Sequence, residues 1–403
     1  MADLPREIWI TGIGIVSCLG EGPQAHWERL NEPPPLPDST AFAPYLVHRL
    51  AAIEFDKQIP KKGDQRQMEA WQRIGVYAAG LALDGARVKG NADLLARMDM
   101  IVAASGGERD EAVDTAILSG LPNASSPGAF MNEQMMSGLR PTLFLAQLSN
   151  LMAGNISIVH GVTGSSRTFM GEDAAGVDAV RIALARIEAG QSDIALVGGA
   201  YNGERRDLLL VHEFGGYALK VPFAPVWERK ERGGGFALGA LGAFLVLESS
   251  RHAMDRGTEA FARLTRVVSD RCRRQAGDAA AALARLWHRL ENAITPSRVA
   301  IISGATGAEP ATSEERAWLD TLGGVPVRAT GTYIGHGFEP QFPMNIALAA
   351  LAVGHGRLFP PANSSGVEQT MQGRLDQVVV TSVGHWRGEG MALVERRGER
   401  EWR

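Results

Sequence analysis

The side chains of this 403-residue chain that could do chemistry unaided are two thiols, nine histidines and a few hydroxyls close to a histidine. Acyl or group transfer through a covalent intermediate needs a thiolate, or a hydroxyl with a base beside it. Cys18 lies in the loop that closes ITGIGIVSCLGEG, and Cys272 in the arginine-rich run DRCRRQ. Both read as inert filler, the usual state of an unpaired cysteine. Ser165 and Ser166, in TGSSRTFMGED, would need a base, and His160 just upstream is the local candidate, but no G-x-S-x-G elbow accompanies them. His336, in the glycine turn GTYIGHG, reads either as a hydrogen-bonded turn residue or as a catalytic imidazole. The arginines Arg271–Arg274 read either as a solvated face or as a dock for an acidic partner. Two cysteines are too few for a disulfide framework or a zinc site, so no metal is expected.

The elements that must position such residues show in the hydrophobic pattern. Short apolar runs closed by Gly or Ser read as buried strands: Ile8–Ile15, Met98–Ala104, Ile156–Val159, Ile194–Val197, Ala243–Leu247, Val299–Ile302 and Val378–Val383. Between them, Gln67–Ala86, Ala174–Ala189, Ala279–Ala293 and Met344–Val353 have helical spacing, so the class is α/β in layers. The stretch EPPPLP (32–37) reads as a surface loop. Two segment pairs look like copies: 98–108 with 297–309, and 192–204 with 375–389. Their order is kept across half the chain, which favours a duplicated architecture.

Composition narrows the class. A hydrophobic content of 45% over this length can bury a sizeable core without disulfides. A net charge of −4 is not that of a nucleic-acid binder. No long apolar run suggests a membrane span, the start lacks a signal-peptide pattern, and the paucity of cysteine fits a reducing cytoplasm.

Five segments in order resemble the β-ketoacyl-acyl-carrier-protein synthases. ITGIGIVSCLGEG (10–22) is similar to the family's opening V-T-G-x-G-x-V-(S/T)-x-L-G, and GQSDIALVGGA (190–200) to its G-x-x-D-x-x-x-x-G-G-x segment. GGFALGALGAFLVLESSRHAMDRG (234–257) resembles the D-G-F-V-x-G-E-G-A-G-x-L-V-L-E block, GTYIGHG (331–337) the K-S-x-x-G-H turn, and LFPPANS (358–364) the segment after it. The resemblance implies a thiolase-like five-layer αβαβα sandwich built from two duplicated halves, 1–250 with the nucleophile elbow and 251–403 with the histidines. It also implies dimerisation through a strand on a two-fold axis. Condensation in that family needs an elbow cysteine as thiolate, two histidines for decarboxylation, and backbone N–H groups for the oxyanion.

The sequence departs from that set. The helix counted back from Asp193 places Asp173 at the cysteine position, with Glu172 beside it. The first family histidine falls at Gly304, with Thr306 retained, and the family lysine at Gly331. The second histidine survives as His336, and the glycine-rich gate is replaced by VGHWRGEG, bringing in His385, Trp386 and Arg387. Asp173 and His336 are therefore the candidate catalytic positions, with Glu172, Gly304, Thr306, Gly331 and His385 lining the substrate site. No cofactor is expected, because phosphopantetheine arrives on the acyl carrier protein.

A carboxylate at a helix N-terminus is a stabilised anion and a weak nucleophile. EDAAGVDA (172–179) is similar to the T-E-Q-A-G-G-x-D-A of chain-length factors, and the loop TGSSRTFMG resembles the second synthase of very-long-chain pairs serving lipid A. The expectation is a non-condensing subunit beside an active ketosynthase, with acyl carrier protein as the other partner. Two readings stay open: an acyltransferase or malonyl decarboxylase using His336 and another residue, and a non-enzymatic acyl-chain or carrier-protein binding homodimer.

Overall fold

Ten strands of the main sheet arrange themselves as the same unit twice. The computed structural model describes residues 6–141, 143–386 and 388–397. In the first unit the strands are β1 (Ile8–Ser17), β2 (Asp99–Ala103), β3 (Ser166–Phe169), β4 (Ile194–Tyr201) and β5 (Leu241–Ser249). In the second they are β6 (Ala262–Asp270), β7 (Val299–Ser303), β8 (Val327–Ala329), β9 (Gln377–Val383) and β10 (Glu389–Glu395). Spatial order is β3-β2-β4-β5-β1 in one and β8-β7-β9-β10-β6 in the other. The pairing sense repeats as well: the first three strands of each order are parallel, and the last two pair antiparallel. β1 and β6 join the units where Trp9 and Ile10 pair with Arg263 and Ala262.

Helices fill the layers around these sheets. α1 (Ala70–Gly85) and α2 (Leu151–His160) cover the outer face of the first unit, and α4 (Asp278–His288) and α5 (Ala311–Asp320) that of the second. Between the sheets lie α3 (Asp173–Glu188) and α6 (Gln341–His355), packed on each other and each touching strands of both units. The result is the five-layer αβαβα sandwich. Its central position explains the composition of α6, in which Gln341 to Val353 are all buried. Such a helix has no water-facing side to make polar. β1, β2, β4, β5, β7, β9 and β10 are buried along their whole length, as strands covered on both faces must be.

Both suspected repeats fall on equivalent strands: 98–108 and 297–309 contain β2 and β7, and 192–204 and 375–389 contain β4 and β9. The four helical patterns are helices, and EPPPLP is an irregular loop with Leu36 exposed. One strand expectation fails. Ile156–Val159 belongs to α2, because a short apolar run has no period long enough to separate strand from buried helix. The strand of that region is instead β3, whose sequence SRTF has three polar residues of four because it lies at the sheet edge. Among the described residues, no helix is long and apolar enough to cross a membrane.

Candidate functional site

Asp173 is the first residue of α3, three residues beyond Met170 at the end of β3's turn, so it stands at a strand-to-helix elbow. The turn is strained. Glu172, half-buried, caps the helix with φ 57° and ψ −136°, a conformation that costs free energy in any residue with a Cβ. That strain swings the Asp173 carboxylate inward, where it is 3% exposed and lies at the positive end of the helix dipole.

His336 is delivered by the second unit. The short helix Gly331–Ile334 ends at Gly335, whose φ of 69° only glycine adopts freely. Immediately after it, the His336 amide donates to Ala237 O at 2.9 Å and its carbonyl accepts from Gly239 N at 2.9 Å. The glycine-rich block 234–257 therefore acts here as the clamp of a histidine. The ring brings Nε2 to 3.3 Å from Asp173 Oδ1, close enough for an ion pair but misaligned for a hydrogen bond.

His385 comes from the tip of the β9–β10 hairpin, closed by Gly384 N donating to Gly388 O at 3.0 Å. Gly388 has φ 93°, and a Cβ on it would lie 2.6 Å from Ala174 Cβ, so only glycine lets the tip press on the first turn of α3. Arg274 fixes the tip from behind through Gly384 O and the Glu389 carboxylate. Asp173, His336 and His385 consequently each offer one atom within 4.8 Å of the other two. Aromatic rings roof them: Phe338 lies 4.3 Å from the His336 ring, Tyr217 lies 4.7 Å from His385, and Phe236 touches both. His212 is edge-on to His385 at 5.9 Å.

The electrostatics follow from burial and neighbours. Burial opposes charge on Asp173, but the imidazoles of His336 and His385 and the helix amide outweigh it, holding the carboxyl below its usual range. Burial pushes His385 down to about 4 and His212 down to about 3, so both rings are neutral at physiological pH. Glu339, buried and beside the Asp173 and Glu172 carboxylates, is raised to about 8 and stays protonated. Of the four non-glycine residues with positive φ among the described residues, Glu172, Arg274 and Phe338 all border this cluster. Local strain concentrated around one buried polar site is a mark of a functional centre.

The remaining expected residues enter differently. A Cβ on Gly304 would sit 2.6 Å from Thr381 O and 3.1 Å from Ser382 Cα, both backbone atoms. Position 304 is thus closely packed, and a side chain there would need the backbone at Thr381 and Ser382 to shift. Thr306 and Gly331 take part through their carbonyls, both bound by the buried Arg229 guanidinium, at 2.6 and 3.3 Å. That guanidinium lies against the backbone of Gly331, the position the resemblance assigns to the family lysine. Cys18 donates to Tyr333 O and is pushed by burial up to about 12, and burial also raises Cys272, so neither is an activated thiol. His160 does not serve Ser165 or Ser166: its Nε2–H donates to Val76 O at 2.8 Å on the outer helix α1, while both serines are exposed. Within Arg271–Arg274, Arg271 and Arg273 are exposed, whereas Arg274 is the hairpin clamp. Trp386 is exposed, and Arg387 lies outside the described residues.

Sequence reasoning missed Phe236, Phe338, Tyr217, His212 and Glu339. Phe236 stood inside a motif already singled out, and Phe338 directly after another, next to GGG and GHG. Nothing local to HEFGGY or its surroundings marked His212 and Tyr217, which reach the site only through tertiary packing.

Two units of identical strand order around a buried helix pair, with an elbow at the tip of one helix, define the thiolase-like class of condensing enzymes. The model of the β-ketoacyl synthase N-terminal domain matches residues 5–253. The chain belongs to the β-ketoacyl synthase family. It is similar to the oxytetracycline polyketide putative β-ketoacyl synthase 1 of Streptomyces rimosus, 26% identical over 389 residues, covering 89% of this chain and 87% of that one. The tetracenomycin polyketide synthase ketoacyl synthase β subunit of Streptomyces glaucescens is 24% identical, covering 98% of this chain and 99% of that one. Among solved structures, the ishigamide ketosynthase/chain length factor superposes with a TM-score of 0.78 at 19% identity, covering 98% of this chain and 100% of that one.

Proposed function

We propose that this chain is a non-condensing, chain-length-factor-like subunit of a synthase that builds acyl or polyketide chains on an acyl carrier protein. One observation carries the reading: a buried carboxylate, Asp173, stands at the elbow where condensation requires a sulfur nucleophile. A thiolate combines low basicity with high nucleophilicity, and a carboxylate at a helix N-terminus has only the first. Its negative charge also opposes both an arriving malonyl carboxylate and a thioester oxyanion.

In this account an active ketosynthase supplies the cysteine, and this chain, in the cytoplasm, shapes the shared acyl tunnel across the dimer interface. Support for the dimer comes from β3, which ends the sheet with one edge unpaired among the described residues. Met170, directly after β3, is exposed, and so are Met131, Met136, Phe144, Leu148 and Ile158 in the segment before it in the chain, apolar side chains of the kind a partner covers. The loop TGSSRTFMG, which contains β3, favours very-long-chain acyl groups for lipid A as the product class. Co-expression with a candidate active ketosynthase tests the proposal. A mixed dimer that condenses, while neither chain alone does, is expected; a homodimer that never exchanges with the active chain would contradict it.

A further inference from the structure

The elbow cluster has more donors than an ion pair can use. Asp173 Oδ2, His336 Nε2 and His385 Nδ1 are all buried and none has a hydrogen-bond partner. The three side chains are 3, 2 and 7% exposed. Buried polar atoms are ordinarily satisfied, so three orphans on side chains that lie this close together require an explanation. A direct Asp173–His336 pair leaves His385 unexplained. Water could reach one or two of these atoms, but the aromatic roof restricts it.

We propose that Asp173, His336 and His385 bind a divalent transition-metal ion of the zinc type. Tetrahedral bonds of about 2.0–2.2 Å place donors about 3.4 Å apart, and Asp173 Oδ1 and His336 Nε2 already lie 3.3 Å apart. The third donor lies within 4.8 Å of both, a distance that a small rotation of the hairpin-tip side chain closes. Two imidazoles and one carboxylate suit zinc, iron, nickel or copper and do not suit calcium or magnesium, which take oxygen ligands. Metal binding needs an ionised carboxylate and neutral rings. Three protein ligands leave a fourth position open, where a small oxygen ligand or a carbonyl could bind.

The donors come from the elbow of α3, the Gly335 turn and the β9–β10 tip, so the ion would tie both units together at the sandwich centre. This proposal stands apart from the silent-subunit reading, because its readout is metal content and not acylation.

The test uses the whole chain, stripped with a chelator and then titrated with Zn²⁺ and Co²⁺. One ion per chain is expected, with visible ligand-field bands for tetrahedral Co²⁺ and a raised Tm. His385→Phe, which the surrounding rings can accommodate, and Asp173→Asn should each weaken binding by more than the roughly tenfold to hundredfold that loss of an outer partner costs. His288→Ala, at an exposed surface histidine, should leave binding unchanged. Absence of stoichiometric binding by the unmodified chain would overturn the proposal whatever the variants do. Equal binding by His385→Phe, or loss of the ion in His288→Ala, would reassign it to an adventitious surface site.

Discussion

A single side chain decides whether the elbow can form an acyl intermediate. Returning a thiol through Asp173→Cys supplies one missing part, but Gly331 carries no lysine and Gly304 no second histidine. The variant should therefore stay at background condensation, within the roughly million-fold deficit that follows loss of a nucleophile's working unit. Turnover of malonyl and acyl thioesters with the variant checks it, and robust product would mean the site is organised differently. Glu339 offers a second test at this scale. Its folded pKa of about 8 lies above the unfolded carboxyl range, so the native state binds the extra proton. That stability is full below the ordinary glutamate value and drains away as pH rises toward 8. Glu339→Gln should abolish the loss, narrowing the stability difference between pH 5 and pH 9 by about 3 kcal/mol in denaturant titrations with chelator present. Asp173, His336 and His385 were legible in the sequence because each sits in or replaces a motif. The tight packing around Gly304 was not legible, since a pattern match says which residue occupies a position and nothing about the space around it.

Elements place these side chains by close approach. The hairpin tip reaches α3 only because residue 388 lacks a Cβ and holds a positive φ. Gly388→Ala should cost about 2 kcal/mol and move His385 away from Asp173. Thermal unfolding together with the Co²⁺ spectrum reads both effects. Behind the tip, Glu389 is fully buried against Arg274. Arg274→Ala leaves that carboxylate without its cation and should destabilise by about 3–5 kcal/mol, measured by chemical denaturation. Helices were the easier elements to read, because α1, α3, α4 and α6 are long enough to show their period. β3, β6, β8 and β10 escaped: their sequences mix charge with apolar residues, as in ARLTRVVSD, or are only three or four residues long. Pairing partners far away in the chain, and not local pattern, make them strands.

At the scale of the molecule, duplication carries the architecture. Two segment pairs about 200 residues apart revealed it in outline, and the repeated strand order with repeated pairing sense completes it. The proposed dimer would use the free edge of β3 and the exposed apolar residues near it in the chain. Met170→Asp, at an exposed position, should leave the fold intact and shift the chain toward monomer in sedimentation or gel filtration. The most direct measurement weighs the intact protein after incubation with an acyl-carrier-protein thioester, alone and with an active ketosynthase. The silent-subunit account expects the acyl mass on the partner and never on this chain; a stoichiometric acyl adduct on this chain alone would contradict it.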